Sequence, residues 1–428
     1  MCKSWKKVAI ADDRAYGGTS ANRGCDPKKV IVGLTEILYR AEKLEGKGIE
    51  NTPNFNWEDL QKFKMKFTDA VPFVNERFKK NEGVTLYHQS PRFLDEKTLS
   101  VEGKTVIAHK VVIATGPKAK PLYFEGAQFA LNSDDFLALK KLPNSMIFIG
   151  AGYIGMELAH IAARLGVDVT IIHSKERPLN DFDDEHVDQL IKVSEAIGIK
   201  FILNARAHKI EELQKNYRVT AMQNDKEVTT KAEQVYLAVG RVPSIQKLDL
   251  AMGKVTYTSR GVTVNKKLQN PSNPNVYACG DVADTEGLPV TPLSSYEAAI
   301  VISQILDTKE PKEAVYPPQP TAVYTLPNLA SIGMSEEEAK KAGFEVVVKS
   351  RNIEHWFSAK HINDDSYAFK TIVDKASEKI LGAHLIGFQI AETINLFALA
   401  MANDLTVDEI KKSIFVYPSW GIDVQGML

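Results

Sequence analysis

The sequence predicts an α/β fold with two glycine-loop domains and a C-terminal α+β domain. The first observation is a strand, glycine loop, helix and strand in succession from residue 146 to residue 173. The second is a similar but incomplete pattern near the N-terminus, where a short apolar run ends at Asp12. The third is a change after the proline-rich stretch at 309–320, beyond which alternating runs predict antiparallel strands. This order is typical of a multidomain α/β chain.

Hydrophobic periodicity predicts the elements in order. The N-terminal block has a strand at 7–11, helices at 27–44 and 57–80, and strands at 85–87, 98–101, 105–108 and 110–114. The central block has strands at 146–150 and 235–239 with helix and strand alternating between them, then a strand at 276–279 and a helix at 292–306. The tail has strands at 345–349, 367–373 and 380–386 and helices at 391–402 and 407–413.

The composition of the 428 residues is that of a globular protein, with 44% hydrophobic and 25% charged residues. The net charge of −1 provides no basic footprint for nucleic acid or for an acidic membrane surface. No apolar run approaches the ~20 residues of a membrane-spanning helix, and the first residues lack the apolar core of a secretion signal. Three cysteines cannot form a disulfide framework, so we expect a cytoplasmic protein, and no metal site is predicted.

The segment from Gly17 to Lys29 is the most informative stretch because it places one thiol at the start of a helix. Glycine lets the backbone approach a flat ligand closely, since it has no Cβ and tolerates positive φ. Pro27 suits the first helical turn, where its missing N–H costs nothing. The helix dipole and two adjacent lysines favour the Cys25 thiolate, while Asp26 opposes it. A lone cysteine is otherwise most often a small buried hydrophobe.

Gly150, Gly152 and Gly155 form a GxGxxG loop, completed by Tyr153 and Ile154, that follows a strand and opens a helix. In this context the motif binds a dinucleotide. The first glycine permits the tight turn, the second lets backbone N–H groups reach the pyrophosphate, and the third lets the helix pack on the strand. The alternative is a purely structural glycine turn.

The end of the second strand indicates which nucleotide binds. An acidic residue there accepts hydrogen bonds from a ribose 2′-hydroxyl and favours NAD. This chain has His173 at that place, followed by Ser174, Lys175 and Arg177. Two permanent cations close to the strand end favour a 2′-phosphate, so NADP is expected and NAD is less favoured. A solvated charged turn would instead leave the preference weak.

The run from Gly17 to Lys29 resembles the redox-active segment of the class I pyridine nucleotide-disulfide oxidoreductases, which include glutathione reductase, dihydrolipoamide dehydrogenase and mercuric reductase. The family pattern GGTCxNxGCxPKK is matched at every fixed position but one, because Ser20 stands where the first cysteine is expected. Ser20 and Cys25 keep the spacing of the family's cysteine pair but cannot form a disulfide. The resemblance covers nearly the whole chain and implies two Rossmann-like domains, for FAD and NAD(P), and a dimerisation domain.

The same resemblance implies an FAD site. Asp12 matches the acid that holds the adenosine ribose, Asp281 the aspartate that bonds the ribityl chain, and Thr291 the start of a helix near the flavin ring. Further cofactor-binding residues carried over from the family's motifs are Gly17, Gly18, Thr19, Lys29, Thr115, Gly116, Gly240, Arg241 and Gly280. As isolated residues, the two aspartates would more often be solvated turn residues.

One part of the family's flavin domain is not matched. The family begins with a strand and a GxGxxG loop about thirty residues ahead of the position of Asp12. This chain has eleven residues there, and none is glycine. We therefore expect the strand and loop that cradle the FAD pyrophosphate to be missing, through a truncated or misassigned start. The alternative is a chain that does not hold FAD.

The implied reaction transfers a hydride from NAD(P)H to the flavin and then electrons to Cys25 or to an external acceptor. Lys28 and Glu157 match a lysine near the flavin and its salt-bridge partner, and Tyr153 matches the ring that covers the flavin until nicotinamide enters. Ordinary surface packing is the alternative for these three. Tyr417 stands where the family has its acid–base histidine, and a tyrosine is a poor base at neutral pH.

The sequence therefore predicts an FAD-dependent NAD(P)H oxidoreductase that acts as a homodimer on a small-molecule electron acceptor. Disulfide reduction is doubtful because Ser20 and Tyr417 replace the usual cysteine and histidine, so a diaphorase-like activity is expected. The alternative is a non-catalytic nucleotide-binding dimer without stable FAD. The predicted domains are the first part of the FAD domain at 1–117, the NAD(P) domain at 118–243, a central FAD segment at 244–312 and the dimerisation domain at 313–428.

Overall fold

The computed structural model describes residues 7–306 and 312–428, so the start of the predicted proline-rich linker, 309–311, lies outside the described residues. The chain divides into two units. The first is built from 1–29, 60–120 and 241–316, and the second from 30–59, 121–240 and 317–428. No helix in the described ranges is both long and apolar enough to cross a lipid bilayer.

The helices of the described residues include several that the sequence did not predict. The helices are α1 (Gly18–Arg23), α2 (Cys25–Lys43), α3 (Trp57–Thr68), α4 (Ala70–Asn81), α5 (Ser133–Leu137), α6 (Tyr153–Arg164), α7 (Asp184–Ala196), α8 (Thr291–Ile305), α9 (Glu336–Lys341), α10 (Phe357–Lys360), α11 (Ile390–Ala402), α12 (Val407–Lys412) and α13 (Asp423–Met427). The helix predicted at 57–80 is divided into α3 and α4 because Pro72 lacks an N–H and crowds the preceding turn. Cys25 is the first residue of α2, and α1 forms where only a glycine turn was expected.

The strands of the N-terminal half are β1 (Ala9–Ala11), β2 (Thr85–Tyr87), β3 (Arg92–Phe93), β4 (Thr98–Val101), β5 (Lys104–Ile107), β6 (Val111–Ile113), β7 (Pro117–Ala119), β8 (Ser145–Ile149), β9 (Asp168–Ile172), β10 (Lys200–Ile202) and β11 (Ala205–Glu212). Those that follow are β12 (Tyr217–Gln223), β13 (Lys226–Ala232), β14 (Gln234–Leu237), β15 (Arg241–Pro243), β16 (Tyr257–Thr258), β17 (Gly261–Thr263), β18 (Val276–Ala278), β19 (Ala283–Asp284), β20 (Thr321–Val323), β21 (Asn328–Gly333), β22 (Val346–Asn352), β23 (Ala368–Asp374) and β24 (Ile380–Gly387).

The second unit contains a parallel sheet in the order β10-β9-β8-β14 and a five-stranded antiparallel sheet in the order β20-β21-β24-β23-β22. The strand order reverses between β8 and β14, so the carboxyl end of β8 lies at the crevice where doubly wound sheets bind ligands. An antiparallel meander, β11-β12-β13, occupies the stretch where helix and strand were predicted to alternate. Helix α11 packs on β21 and β24 over a core that includes Phe369, Leu385 and Phe397.

Besides the short parallel pair of β17 with β19, the first unit carries two separate parallel strand pairs. β1 pairs with β2, with Ala9 opposite Thr85, and β6 pairs with β18, with Ile113 opposite Ala278. Within the described residues each pair is a two-stranded sheet, so β1 and β6 each have one neighbour. A complete Rossmann sheet is continuous across such strands. Antiparallel strands β3 to β5, β7 with β15, and β16 with β17 complete the unit.

Candidate redox and nucleotide sites

Cys25 and Ser20 meet at one hydroxyl group in the first unit. Thr291 Oγ1 lies 3.6 Å from Cys25 Sγ and 3.2 Å from Ser20 Oγ. Cys25 opens α2 and is exposed, while Thr291 opens α8 and is followed by Pro292. The N-termini of two helices therefore converge on the thiol, and the positive ends of their dipoles stabilise negative charge there.

Local backbone geometry explains how the redox segment holds these two side chains. Gly17 has φ of 117°, and a Cβ added to it would lie 2.4 Å from Val71 Cγ1, so only glycine fits that position. The Asn22 side-chain amide donates to the carbonyls of Tyr16 at 3.2 Å and Gly18 at 2.9 Å. These contacts fix α1, which carries Thr19 and Ser20. Lys28 and Lys29 lie on the first turns of α2.

Asp281 lies at the carboxyl end of β18, next to Gly280. Burial raises the pKa of the Asp281 carboxyl, and the nearby Arg241 guanidinium acts in the opposite direction. Arg241 Nη2 donates to the carbonyl of Pro117 at 2.8 Å, which fixes the guanidinium. Gly116, which follows Thr115, has φ of 60°, and no heavy atom lies within 4 Å of the place a Cβ would take. The backbone at Gly116 is therefore open to close approach by a ligand.

Asp12 lies at the carboxyl end of β1, as predicted from the sequence. Its N–H donates to the carbonyl of Tyr87 at 3.0 Å, and its Oδ1 accepts from the Arg14 N–H at 2.9 Å. The Tyr16 hydroxyl donates to the same Tyr87 carbonyl at 2.6 Å. A carboxylate held by a turn at a strand end can accept from a sugar hydroxyl.

The three glycines of the GxGxxG loop occupy three different environments in the second unit. Gly150 has φ of 107°, and a Cβ there would lie 2.4 Å from the carbonyl oxygen of Ala238. A Cβ at Gly155 would lie 2.2 Å from the Gly150 carbonyl oxygen, so the helix packs too closely for any side chain. Gly152 has no heavy atom within 4 Å of its Cβ position and precedes Tyr153 at the start of α6. The loop thus leaves its helix N-terminus open, the setting in which pyrophosphates bind.

The residues after β9 differ in how their charges are paired. His173 Nδ1 accepts from the Ala151 N–H of the glycine loop at 3.2 Å, and burial lowers the pKa of His173. Arg177 donates to Asp188 through Nε at 2.8 Å and Nη2 at 3.2 Å, and to Asp184 at 3.2 Å. Ser174 and Lys175 are exposed beside His173. The Arg177 charge is therefore neutralised within this segment, whereas Lys175 faces solvent.

Glu157, Tyr153 and Gly240 also belong to the second unit, while Lys28 belongs to the first. The Glu157 side chain is 2% exposed, and its Oε1 accepts from the Tyr324 N–H at 2.8 Å. Tyr153 is half exposed, and Gly240 has φ of 102° just after β14. Glu157 is thus a buried acceptor for backbone as well as the predicted partner of a lysine.

Tyr417 lies at the edge of a cluster of aromatic rings. The Tyr417 side chain is 68% exposed, and its ring centroid lies 6.1 Å from that of Phe357. The Phe357 ring stacks on His361 at 5.3 Å, and His361 lies 6.0 Å from Trp420. Asp423 is buried, accepts from the Tyr367 hydroxyl at 3.0 Å, and has its pKa raised by burial. Tyr417 thus contacts an aromatic ring and Asp423 a tyrosine hydroxyl, so the described residues here hold no counterpart of the family's acid–base histidine.

The sequence reasoning missed one residue that contacts the turn before Asp281. Glu297 is buried on α8 and accepts a hydrogen bond from the Gly280 N–H. It is the single charged residue in the sequence of α8, residues 291–305. A lone glutamate in an otherwise apolar helix was the signal that could have pointed to it, because buried carboxylates need partners.

Two family patterns together match nearly the whole chain. The pattern of the pyridine nucleotide-disulphide oxidoreductases matches residues 3–301, and their dimerisation domain matches residues 319–425. Dihydrolipoyl dehydrogenase 2 from Haloarcula marismortui is 29% identical over 422 residues, which are 96% of this chain and 89% of that protein. Mercuric reductase from Bacillus cereus is 29% identical over 419 residues, which are 96% of this chain and 65% of that protein.

Among solved structures, the HOCl-induced flavoprotein disulfide reductase RclA from Escherichia coli has the same fold. It superimposes with a TM-score of 0.87 at 24% sequence identity, over 99% of this chain and 94% of that one. The predicted architecture of two nucleotide-binding domains and a dimerisation domain is confirmed by these matches.

Proposed function

The chain belongs to the pyridine nucleotide-disulphide oxidoreductase family, and on that premise we propose that it is an FAD-dependent NAD(P)H oxidoreductase with a single redox thiol. The observation that carries the proposal is the contact of Cys25 and Ser20 with one hydroxyl, that of Thr291. A thiol beside a hydroxyl cannot close the intramolecular disulfide through which the family passes electrons, so electrons pass to a small-molecule acceptor instead. The proposal includes a homodimer and, from the low cysteine content, a cytoplasmic location.

The residues at the carboxyl ends of β1, β6 and β18 fit an FAD molecule. Asp12 and Asp281 can accept from sugar and ribityl hydroxyls, and the open Gly116 backbone gives a flat ligand room to approach. The start of α8 at Thr291 can stabilise negative charge on a bound ring. When bound, FAD would accept a hydride from NAD(P)H and pass the electrons on. Cys25, the first residue of α2, is the nucleophilic group, and its sulfur lies 3.6 Å from the Thr291 hydroxyl.

A comparison of electron acceptors tests this function. Because position 20 carries a hydroxyl, the purified protein should oxidise NADPH rapidly with a quinone or a redox dye and only at background rate with glutathione disulfide or lipoamide. The rates are followed by NADPH absorbance. Efficient reduction of a disulfide by the wild type would contradict the proposal.

A second candidate, a nucleotide-binding dimer without stable FAD, is favoured by the separation of the β1–β2 and β6–β18 pairs. The two candidates differ in the colour of the protein purified from cells. A yellow protein bleached by NADPH supports the oxidoreductase. A colourless protein that binds NADPH and stays colourless after incubation with FAD supports the second candidate.

Lys175 rather than Arg177 should set the nucleotide preference. Lys175 is exposed beside His173, whereas two carboxylates already neutralise Arg177. We expect Lys175→Ala to weaken NADPH binding about 5- to 10-fold, the value of one charge-assisted hydrogen bond at an exposed site, and to leave NADH unchanged. Arg177→Ala, the matched control, should change the two affinities equally. Dissociation constants from NAD(P)H fluorescence measure both, and equal losses for both nucleotides in Lys175→Ala would contradict the assignment.

A further inference from the structure

Glu297 is a carboxylate enclosed within the first unit. It lies on α8, and its side chain is 2% exposed. Glutamates are seldom buried to this degree unless several donors satisfy the carboxylate. The side chain therefore has a specific set of partners, and these show what it organises.

Three neutral donors reach the Glu297 carboxylate from two different segments. Oε2 accepts from the Gly280 N–H at 2.6 Å, and Oε1 accepts from the Thr285 hydroxyl at 3.1 Å and the Tyr316 hydroxyl at 2.8 Å. Gly280 and Thr285 lie on either side of the loop that contains Asp281. Tyr316 lies later in the chain than α8. Hydrogen bonds to an ionised acceptor are stronger than those between neutral groups, so this carboxylate fixes the loop firmly.

The backbone at Gly280 depends on this contact. Gly280 has φ of 72°, and a Cβ there would lie 3.0 Å from Ser294 Oγ, so the turn is pressed onto α8. Its N–H donates to the Glu297 side chain, and the next residue is Asp281. If the acceptor is weakened, the buried N–H loses its partner and the turn can rotate, which moves the Asp281 carboxylate.

Tyr296, the residue before Glu297, binds the backbone of the residue before Tyr316. The Tyr296 hydroxyl donates to the Val315 carbonyl at 2.6 Å and accepts from the Val315 N–H at 3.1 Å. Tyr296 and Glu297 thus hold consecutive residues, Val315 and Tyr316, against α8. Loss of the Tyr316 hydroxyl therefore leaves the segment attached through Tyr296.

We propose that Glu297 is a positioning residue for the flavin, which sets the Gly280–Asp281 turn so that Asp281 accepts from the ribityl hydroxyls. The inference rests on the proposed function, because it concerns the FAD site. Glu297 acts through Asp281 and does not itself contact the cofactor. It follows that the effect of changing Glu297 must disappear when Asp281 can no longer serve as the acceptor.

A double-mutant cycle between Glu297→Gln and Asp281→Ala, which removes the acceptor, tests the inference. FAD dissociation constants are measured by flavin fluorescence after removal and readdition of the cofactor, and the melting temperature of each flavin-free protein is recorded. We expect Glu297→Gln to weaken FAD about 10-fold, the value of one hydrogen bond to a charged group. In the Asp281→Ala background it should have almost no further effect, since the two changes act on the same interaction. Tyr316→Phe, the matched control, should retain the wild-type affinity.

Several results would overturn this role. Additive losses in the two backgrounds, unchanged affinity in Glu297→Gln, or an equal loss in Tyr316→Phe would each show that Glu297 only stabilises the fold. A wild type that takes up no FAD at all would overturn the proposed function, and this inference with it. Because the cycle compares variants of a protein that binds FAD, the two failures are distinguished.

Discussion

Replacing Ser20 with cysteine should convert the protein into a disulfide reductase, raising the rate of NADPH-dependent reduction of a small disulfide at least about 100-fold. Ser20 Oγ and Cys25 Sγ already lie within 3.2 and 3.6 Å of the same Thr291 oxygen. A sulfur at position 20 would therefore share the Thr291 neighbour of Cys25, at the sequence spacing of the family's cysteine pair. Cysteine supplies the thiolate that attacks a disulfide, and serine has no equivalent state at neutral pH.

Two variants serve as controls for this conversion. Ser20→Ala removes the hydroxyl without adding a thiol and should keep the wild-type rate. Ser20→Cys combined with Cys25→Ala carries one thiol in the other position and should lose the gained activity. Disulfide-dependent NADPH oxidation is the measurement. If the Ser20→Cys protein carries sulfur at both positions 20 and 25 and is no faster than Ser20→Ala, the single-thiol explanation is wrong.

Alanine at two glycines of the GxGxxG loop should separate the effect on stability from the effect on nucleotide binding. Gly155→Ala should lower the free energy of unfolding by about 3 kcal/mol, because the new Cβ would lie 2.2 Å from the Gly150 carbonyl oxygen. Gly152→Ala should leave stability unchanged, since its φ of −76° suits alanine and the Cβ position is open. It should nevertheless weaken NADPH binding at least about 10-fold, because the Cβ blocks the approach to the helix N-terminus.

Urea unfolding and NADPH fluorescence titration measure the two effects on the same samples. Each variant is the control for the other, since both add one methyl group to the same loop. Gly152→Ala with wild-type affinity for NADPH would show that the pyrophosphate does not bind at this loop. Gly155→Ala with wild-type stability would show that the contact between α6 and β8 is looser than the structure indicates.

Motifs written in short stretches of sequence were predictable, because their geometry depends on neighbouring residues. The GxGxxG loop has the predicted turn, and Cys25 lies at a helix start. The division of the helix at 57–80 could have been read from Pro72, but the apolar spacing on both sides of it favoured one helix. Local rules thus identified the family's two key segments.

Contacts between distant residues could not be read from the sequence. Arg177 looked like a free cation at a strand end, and its neutralisation by Asp188 depends on how α7 folds back. The meander β11 to β13 was read as alternating helix and strand because short apolar runs are ambiguous. Glu297 joins Gly280, Thr285 and Tyr316, which only tertiary structure brings together.

The surroundings of Tyr417 bear on the same central claim as Ser20. A phenol in an exposed aromatic cluster with Phe357 can donate a hydrogen bond but cannot replace an imidazole as a base. Disulfide exchange needs an attacking thiolate and is accelerated by a proton acceptor, whereas hydride transfer to a flavin needs neither. Both residues therefore favour the proposed function, that of an oxidoreductase with flavin chemistry but without the family's thiol relay.

Anaerobic titration with NADPH, recorded as flavin absorbance, tests the single-thiol oxidoreductase most directly. With serine at position 20, Cys25 cannot store an electron pair as half of a disulfide, so about one equivalent of NADPH should bleach each bound flavin completely. The Ser20→Cys variant should take up about two equivalents, because its disulfide is reduced as well. A wild type that consumes about two equivalents, or one that carries no flavin to bleach, would contradict the account.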